Sequence, residues 1–249
     1  MKYLYTLGSF FGALLLLGLA PAVMAQQARE TTAQLQEVNR PVFTIEFDYP
    51  PDIVEGALME KLEKDQVKVR DKKHLITGQH VTYGALSASP LDLYFRTSGK
   101  EKKGKGTATL ELFLSKGQDN FIGNAFDPEL SQKATAYLDG LRPIVDEYAL
   151  RQTIEEKEQA LEDLRDDYEN LLKDKGKGYD KLDDAKEDLS RASEDKALKK
   201  ARKRIRKSDK KIGKMEDELR RLETEMEQRK SALRVLRQRL TEMQREIRS

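Results

Sequence analysis

The longest regular pattern in the chain occupies its C-terminal part, where Leu198, Ile205, Ile212, Leu219, Met226, Leu233, Leu240 and Ile247 recur every seven residues. Three residues after each of the first seven stand Ala201, Ser208, Met215, Leu222, Arg229, Leu236 and Met243. Alternating spacings of three and four place these positions on one narrow helical stripe, and a stripe of that width is buried by another helix. The spacing therefore predicts a coiled-coil helix with Leu219, Leu222, Met226, Leu233, Leu236 and Leu240 in its interface.

A second seam precedes it. Ile154, Leu161 and Tyr168 are seven apart, Leu164 and Leu171 follow two of them by three, and Leu182 and Leu189 keep the same count. Gly176-Lys177-Gly178 interrupts this seam, and two glycines cost a helix roughly 2 kcal/mol of propensity. The expected architecture is thus a helical hairpin turning at 176–178. A continuous helix is the alternative, because the count is unbroken across the glycines. Between Leu189 and Leu198 the count slips to nine residues, which predicts a local distortion or a change of partner.

Upstream the period changes to two. Phe43, Ile45, Phe47 and Tyr49 alternate with Thr44, Glu46 and Asp48, as in a half-buried strand. Leu91, Leu93 and Phe95 repeat the pattern, as do Leu110, Leu112 and Leu114, and the Gly- and Lys-rich stretch 98–106 between them suits the loop of a β-hairpin. Weaker strand candidates, 67–70 and 80–83, flank a turn expected at Thr77-Gly78. Val54, Leu58 and Leu62 mark a short helix behind a capping-box-like Asp52 and Glu55. Asp127-Pro128 opens another, with Leu130, Ala134, Tyr137, Leu138 and Leu141 on one face. Strand, helix, two to four strands, helix is the order of an α+β head, a small antiparallel sheet with helices on one face, followed here by the long coiled coil.

The boundaries follow from these textures. Residues 1–25 read as a signal peptide, with Lys2, an apolar core at 10–19 and Val23-Met24-Ala25 before a mature start near Gln26; an uncleaved anchor is the alternative. Residues 26–40 read as a polar tether, 41–141 as the α+β domain and 142–249 as the coiled coil. No segment after the leader is apolar enough to span a membrane, so the expected location is secreted or periplasmic.

Composition narrows the chemistry. With 36% charged residues, 7% aromatics and no Trp, the chain supports a modest core and a long solvated part. Absence of Cys removes disulfides, thiol nucleophiles and cysteinyl metal sites. His74 and His80 match no helical ligand spacing, Asp119 and Asn120 lack the acidic alternation of a calcium loop, and Ser87 and Ser89 have no nucleophile elbow. Gly104-Lys105-Gly106 and Gly176-Lys177-Gly178 lack the spacing of a phosphate loop. No catalytic, metal or cofactor residue is assigned, and a non-enzymatic role is expected.

The net charge of +2 conceals blocks of opposite sign. Eight acidic residues crowd 155–169, and ten basic residues crowd 196–211 against Asp209 alone. These blocks suggest that one helix neutralises part of the other, and a turn at 176–178 would set the basic band opposite Glu155, Glu156 and Glu158. Lys199, Lys200, Arg202, Lys203, Arg206 and Lys207 form the candidate anion-binding set. The expected function is that of an exported structural or interaction protein of the bacterial envelope, meeting a protein partner or a second copy through the coiled coil. The alternative is a periplasmic binding module, or a chaperone-like protein, that holds anionic polymer, lipid or client protein through the basic band. Specific nucleic-acid binding is not expected.

Overall fold

The alternating segments build one six-stranded antiparallel sheet in the order β1-β2-β6-β5-β4-β3. Its strands are β1 (Arg29–Leu35), β2 (Val38–Phe47), β3 (Arg70–Lys72), β4 (Leu75–Tyr83), β5 (Ser87–Lys102) and β6 (Lys105–Ser115). Helix α1 (Pro51–Lys64) lies between β2 and β3, and α2 (Pro128–Gly140), α3 (Arg142–Arg191) and α4 (Asp195–Arg248) follow the sheet. The computed structural model describes residues 27–248 apart from 73, 103, 104, 118 and 119. The expected leader and Gln26, together with Gly104 and Asp119, lie outside the described residues.

One face of the sheet carries the core. Phe43, Ile45 and Phe47 of β2, Leu93 and Phe95 of β5, and Leu110, Leu112 and Leu114 of β6 point the same way and pack on α1, α2 and the start of α3. Phe43↔Leu112 and Phe95↔Leu112 are register partners, which centres Leu112 in the core with no exposed surface. Burying a side chain of this size contributes about 1.5–3 kcal/mol. Leu35, Val42 and Phe113 make a smaller cluster on the opposite face, under Phe121 and Tyr94.

The helices begin where the backbone allows it. Asp127 caps α2 as expected: its carboxylate accepts from the Leu130 amide at 3.0 Å, and Pro128 supplies a fixed φ where no N–H is needed. Helix α1 does not use Asp52 as a cap; it starts at Pro51 behind Pro50, with no side-chain cap. Only Leu141 separates α2 from α3, and Pro143 there removes a helical donor, so the two form one bent helix. Gly56 lets α1 and α3 approach, since a Cβ at that position would overlap the Tyr148 phenol.

Besides the α1 cap and the loop expected at 98–106, most of which is paired strand because β5 runs to Lys102 and β6 starts at Lys105, three sequence expectations are corrected by these elements. The expected tether at 26–40 contains β1 and the start of β2. As an edge strand, β1 buries only Leu35 and so shows no apolar alternation. It joins β2 through Gln36 and Glu37, with φ 50 and 66, a tight hairpin turn made without the usual Asn or Gly. The turn expected at Thr77-Gly78 lies inside β4. The chain reverses just before it, at His74 with φ 63, and β4 bulges against β5 near His80, with φ 50.

The third correction concerns the helical hairpin. Residues 176–178 are helical, and α3 continues unbroken to Arg191. The reversal occurs at 192–194, inside the interval where the heptad count slips. Gly178 is buried at the helix contact, where a Cβ would lie 3.1 Å from Met215 Cε and 3.2 Å from Ile212 Cγ1. Its smallness serves close approach of α4 rather than a turn.

Candidate interaction surface

Helices α3 and α4 lie antiparallel. Glu158 pairs with Arg237 at 2.6 Å, the Arg229 guanidinium donates to the Ala160 carbonyl at 3.0 Å, and the Tyr168 hydroxyl donates to Glu223 at 2.6 Å. Further along, the Tyr179 hydroxyl donates to Glu216 at 2.8 Å and Arg204 pairs with Asp188. Positions rise along one helix as they fall along the other. Both phenols are pushed above the usual tyrosine range by the carboxylates they donate to.

Apolar seam residues fill the space between these polar bridges. Ile154, Leu161 and Leu233 form one buried cluster, joined by Met226, Leu236 and Leu240 at its margin. Leu182, Ile212 and Met215 form a second, nearer the turn. Of the residues expected in the interface, Leu219 and Leu233 are buried, while Leu222, Met226, Leu236 and Leu240 are half-buried. Arg229 occupies a seam position and stays there by bonding the α3 backbone and Glu225.

With the turn at 192–194, the basic band does not face Glu155, Glu156 and Glu158; the acidic block instead runs beside the later part of α4. The band lies beside 180–191, as the ion pair of Arg204 with Asp188 indicates. Lys199, Lys200, Arg202, Lys203, Arg206 and Lys207 are all exposed, and among the described residues none forms an ion pair. Elsewhere on α4 the pattern reverses: Arg220, Arg221, Arg229 and Lys230 each pair with an acid three or four residues earlier. Nearby acids of α3 are also engaged, Asp183 with Lys186 and Glu187 with Arg191.

At the other end, α4 returns to the head. A cleft of about 510 Å³ opens between α1, α3 and the end of α4, with Lys61, Glu60, Arg151, Glu147 and Glu246 in its walls. Its charges are matched locally: Arg151 pairs with Glu60 at 2.7 Å and Glu147 at 3.2 Å, and Lys61 pairs with Asp65. Burial works to raise the Asp65 carboxyl, but hydrogen bonds from Lys61 and Tyr83 outweigh it and hold the group below its ordinary range. Burial, the neighbouring Tyr137 and the bond to Asp65 keep the Tyr83 phenol protonated far above the usual range. This cluster ties the end of α1 to β4 and α2, and no sequence motif announces it, because its members come from three separate elements.

The other candidates are structural in their surroundings. His74 Nδ1 lies 2.7 Å from Glu55 Oε1, and the His80 amide donates to Asp92 at 2.7 Å. Asn120 sits in a turn, its amide donating to the Gly117 carbonyl at 3.0 Å. Among the described residues, no group of three His, Cys, Asp or Glu could hold a metal ion, and no helix is long and apolar enough to cross a membrane. Comparison with protein-family models, with curated proteins and with solved structures finds no match to this chain.

Proposed function

We propose that the chain is an exported, non-enzymatic structural or interaction protein of the bacterial envelope, in which an α+β head carries a coiled-coil hairpin that acts as a spacer. The observation that carries this reading is the closure of the hairpin on itself. The α4 seam is covered by α3 of the same chain from Ile205 beside the turn to Leu240 near the head. With that seam occupied, a protein partner or second copy is met on the outer faces or at the turn. The part of α3 beyond Arg151, its last residue paired with the head, holds the turn roughly 60 Å away. Export is supported by the leader-like texture of residues 1–25.

A second reading is favoured by the unpaired cations near the turn: a binding module that holds anionic polymer, lipid or client protein at the far end of the hairpin. The primary reading is tested on protein purified from the producing cells. N-terminal sequencing is expected to find a start at or near Gln26, and small-angle scattering a rod extending about 60 Å from the head. A mature chain retaining Leu15, Leu16 and Leu17, or a particle without the rod, overturns it.

A further inference from the structure

The basic band has a direction as well as a charge. Lys196, Lys200, Lys203, Lys207 and Lys210 follow spacings of four, three, four and three, so they lie in one row along α4. Leu198, Ala201, Ile205 and Ile212 occupy the opposite side and turn toward α3, with Ala201 and Ile212 buried. The row therefore faces away from the hairpin. It is roughly 21 Å long and puts at least one cation on each helical turn, with Lys199 and Arg206 beside it.

Three features mark this row as more than a solvated face. All five lysines are exposed, and among the described residues none is in an ion pair. The row also begins in the first turn of α4, where the positive end of the helix dipole disfavours cations. The segment 180–211, which adds the α3 residues lying beside the band as a whole, holds thirteen Lys and Arg against eight Asp and Glu, so the excess remains after the neighbours are included.

We infer that this row is a docking track for a linear, phosphate-rich polyanion lying along the outer face of α4. The chemistry separates this ligand from a bilayer surface and from a nucleic acid held by its bases. The row contains no large apolar side chain to enter the headgroup and acyl boundary of a bilayer, and the apolar stripe of α4 is already covered by α3. Helix α4 contains no aromatic residue, so it offers no stacking platform for bases. What remains is a straight line of flexible ammonium groups, which recognises regularly spaced backbone charge.

This proposal rests on the binding-module reading of the hairpin end, and the experiment separates the two. Inorganic polyphosphate is titrated into the full chain across a salt series, and vesicles containing phosphatidylglycerol are titrated in parallel. The parent is expected to bind polyphosphate with a steep salt dependence. Changing Lys200, Lys203, Lys207 and Lys210 together to Gln, which keeps helix propensity, should lower the slope of log affinity on log salt by about 3 and weaken binding at least ~10-fold. A charge-matched control, with Arg220, Arg221, Lys230 and Arg237 changed to Gln, should bind close to the parent while circular dichroism confirms helicity in both. Equal losses in the two variants overturn a located track. Vesicle binding without polyphosphate binding overturns the polymer while leaving the binding-module reading standing, and binding to neither overturns the track together with the polymer and lipid forms of that reading.

Discussion

Gln244, near the end of α4, donates a 2.9 Å hydrogen bond to Glu147, 97 residues earlier in α3. The bond closes the base of the hairpin against the head, and other α4 residues reach the same region. Arg239 bears electrostatically on Tyr49 of the β2–α1 connection, and Glu246 and Ile247 line the cleft beside α1. Head and hairpin are thus joined at both helices, so the direction of the rod is set by packing rather than by a linker.

The antiparallel pairing is checked by a pair of cysteines in a chain that has none of its own. Leu161 and Leu233 share a buried cluster. Changed together to Cys and oxidised, they should form a crosslink within one chain, seen as a faster-migrating monomer on a non-reducing gel. The pair Leu161→Cys and Leu198→Cys should give none. A crosslinked dimer from the first pair would transfer the seam to a second chain.

Gly176 and Gly178 should respond differently to the same substitution. A Cβ at Gly176 meets nothing within 4 Å, so Gly176→Ala is expected to stabilise the chain by about 1 kcal/mol through helix propensity alone. At Gly178 the new methyl presses on Met215 and Ile212, so Gly178→Ala should gain less, and Gly178→Leu should lose about 1–3 kcal/mol. Urea unfolding of the full chain measures all three. Equal gains from the two alanines would remove the close approach of α3 and α4 at this point.

The tyrosines of the head predict an alkaline limit. Burial first, then the charge and hydrogen bond of Asp146, push the Tyr49 phenol up to about 12 from 10.0. An unfolded tyrosine ionises at about 10, so between these values the unfolded state binds fewer protons and stability falls as pH rises. The contribution is intact below pH 10 and is lost through about pH 12. Tyr83 and Tyr137 are shifted in the same direction by burial and add to the effect. Tyr49→Phe should flatten the decline in urea midpoint between pH 9 and 11 relative to the parent; an unchanged decline would place Tyr49 in solvent.

Several elements were legible in the amino-acid order because burial there is periodic. Phe43, Ile45 and Phe47 alternate with Thr44 and Glu46 since one side of β2 meets the helices, and the heptad from Leu198 persists since α3 covers one stripe of α4. The slip between Leu189 and Leu198 also records the structure, as two helices meeting at a reversal need not share a phase. By contrast β1 was invisible, because an edge strand held by backbone bonds buries only Leu35 and leaves no pattern.

The glycines show where sequence alone stops. Gly176 and Gly178 carry the same local signal for a break, yet both stay helical, because packing along α3 and α4 supplies more than their lost propensity. Which acids lie beside the basic band was likewise fixed by the position of the reversal: moving it from 176–178 to 192–194 replaces Glu155, Glu156 and Glu158 by Asp188 and its neighbours. Charge content is written in the chain, but which charges neutralise one another depends on distances that exist only once α4 has folded back along α3.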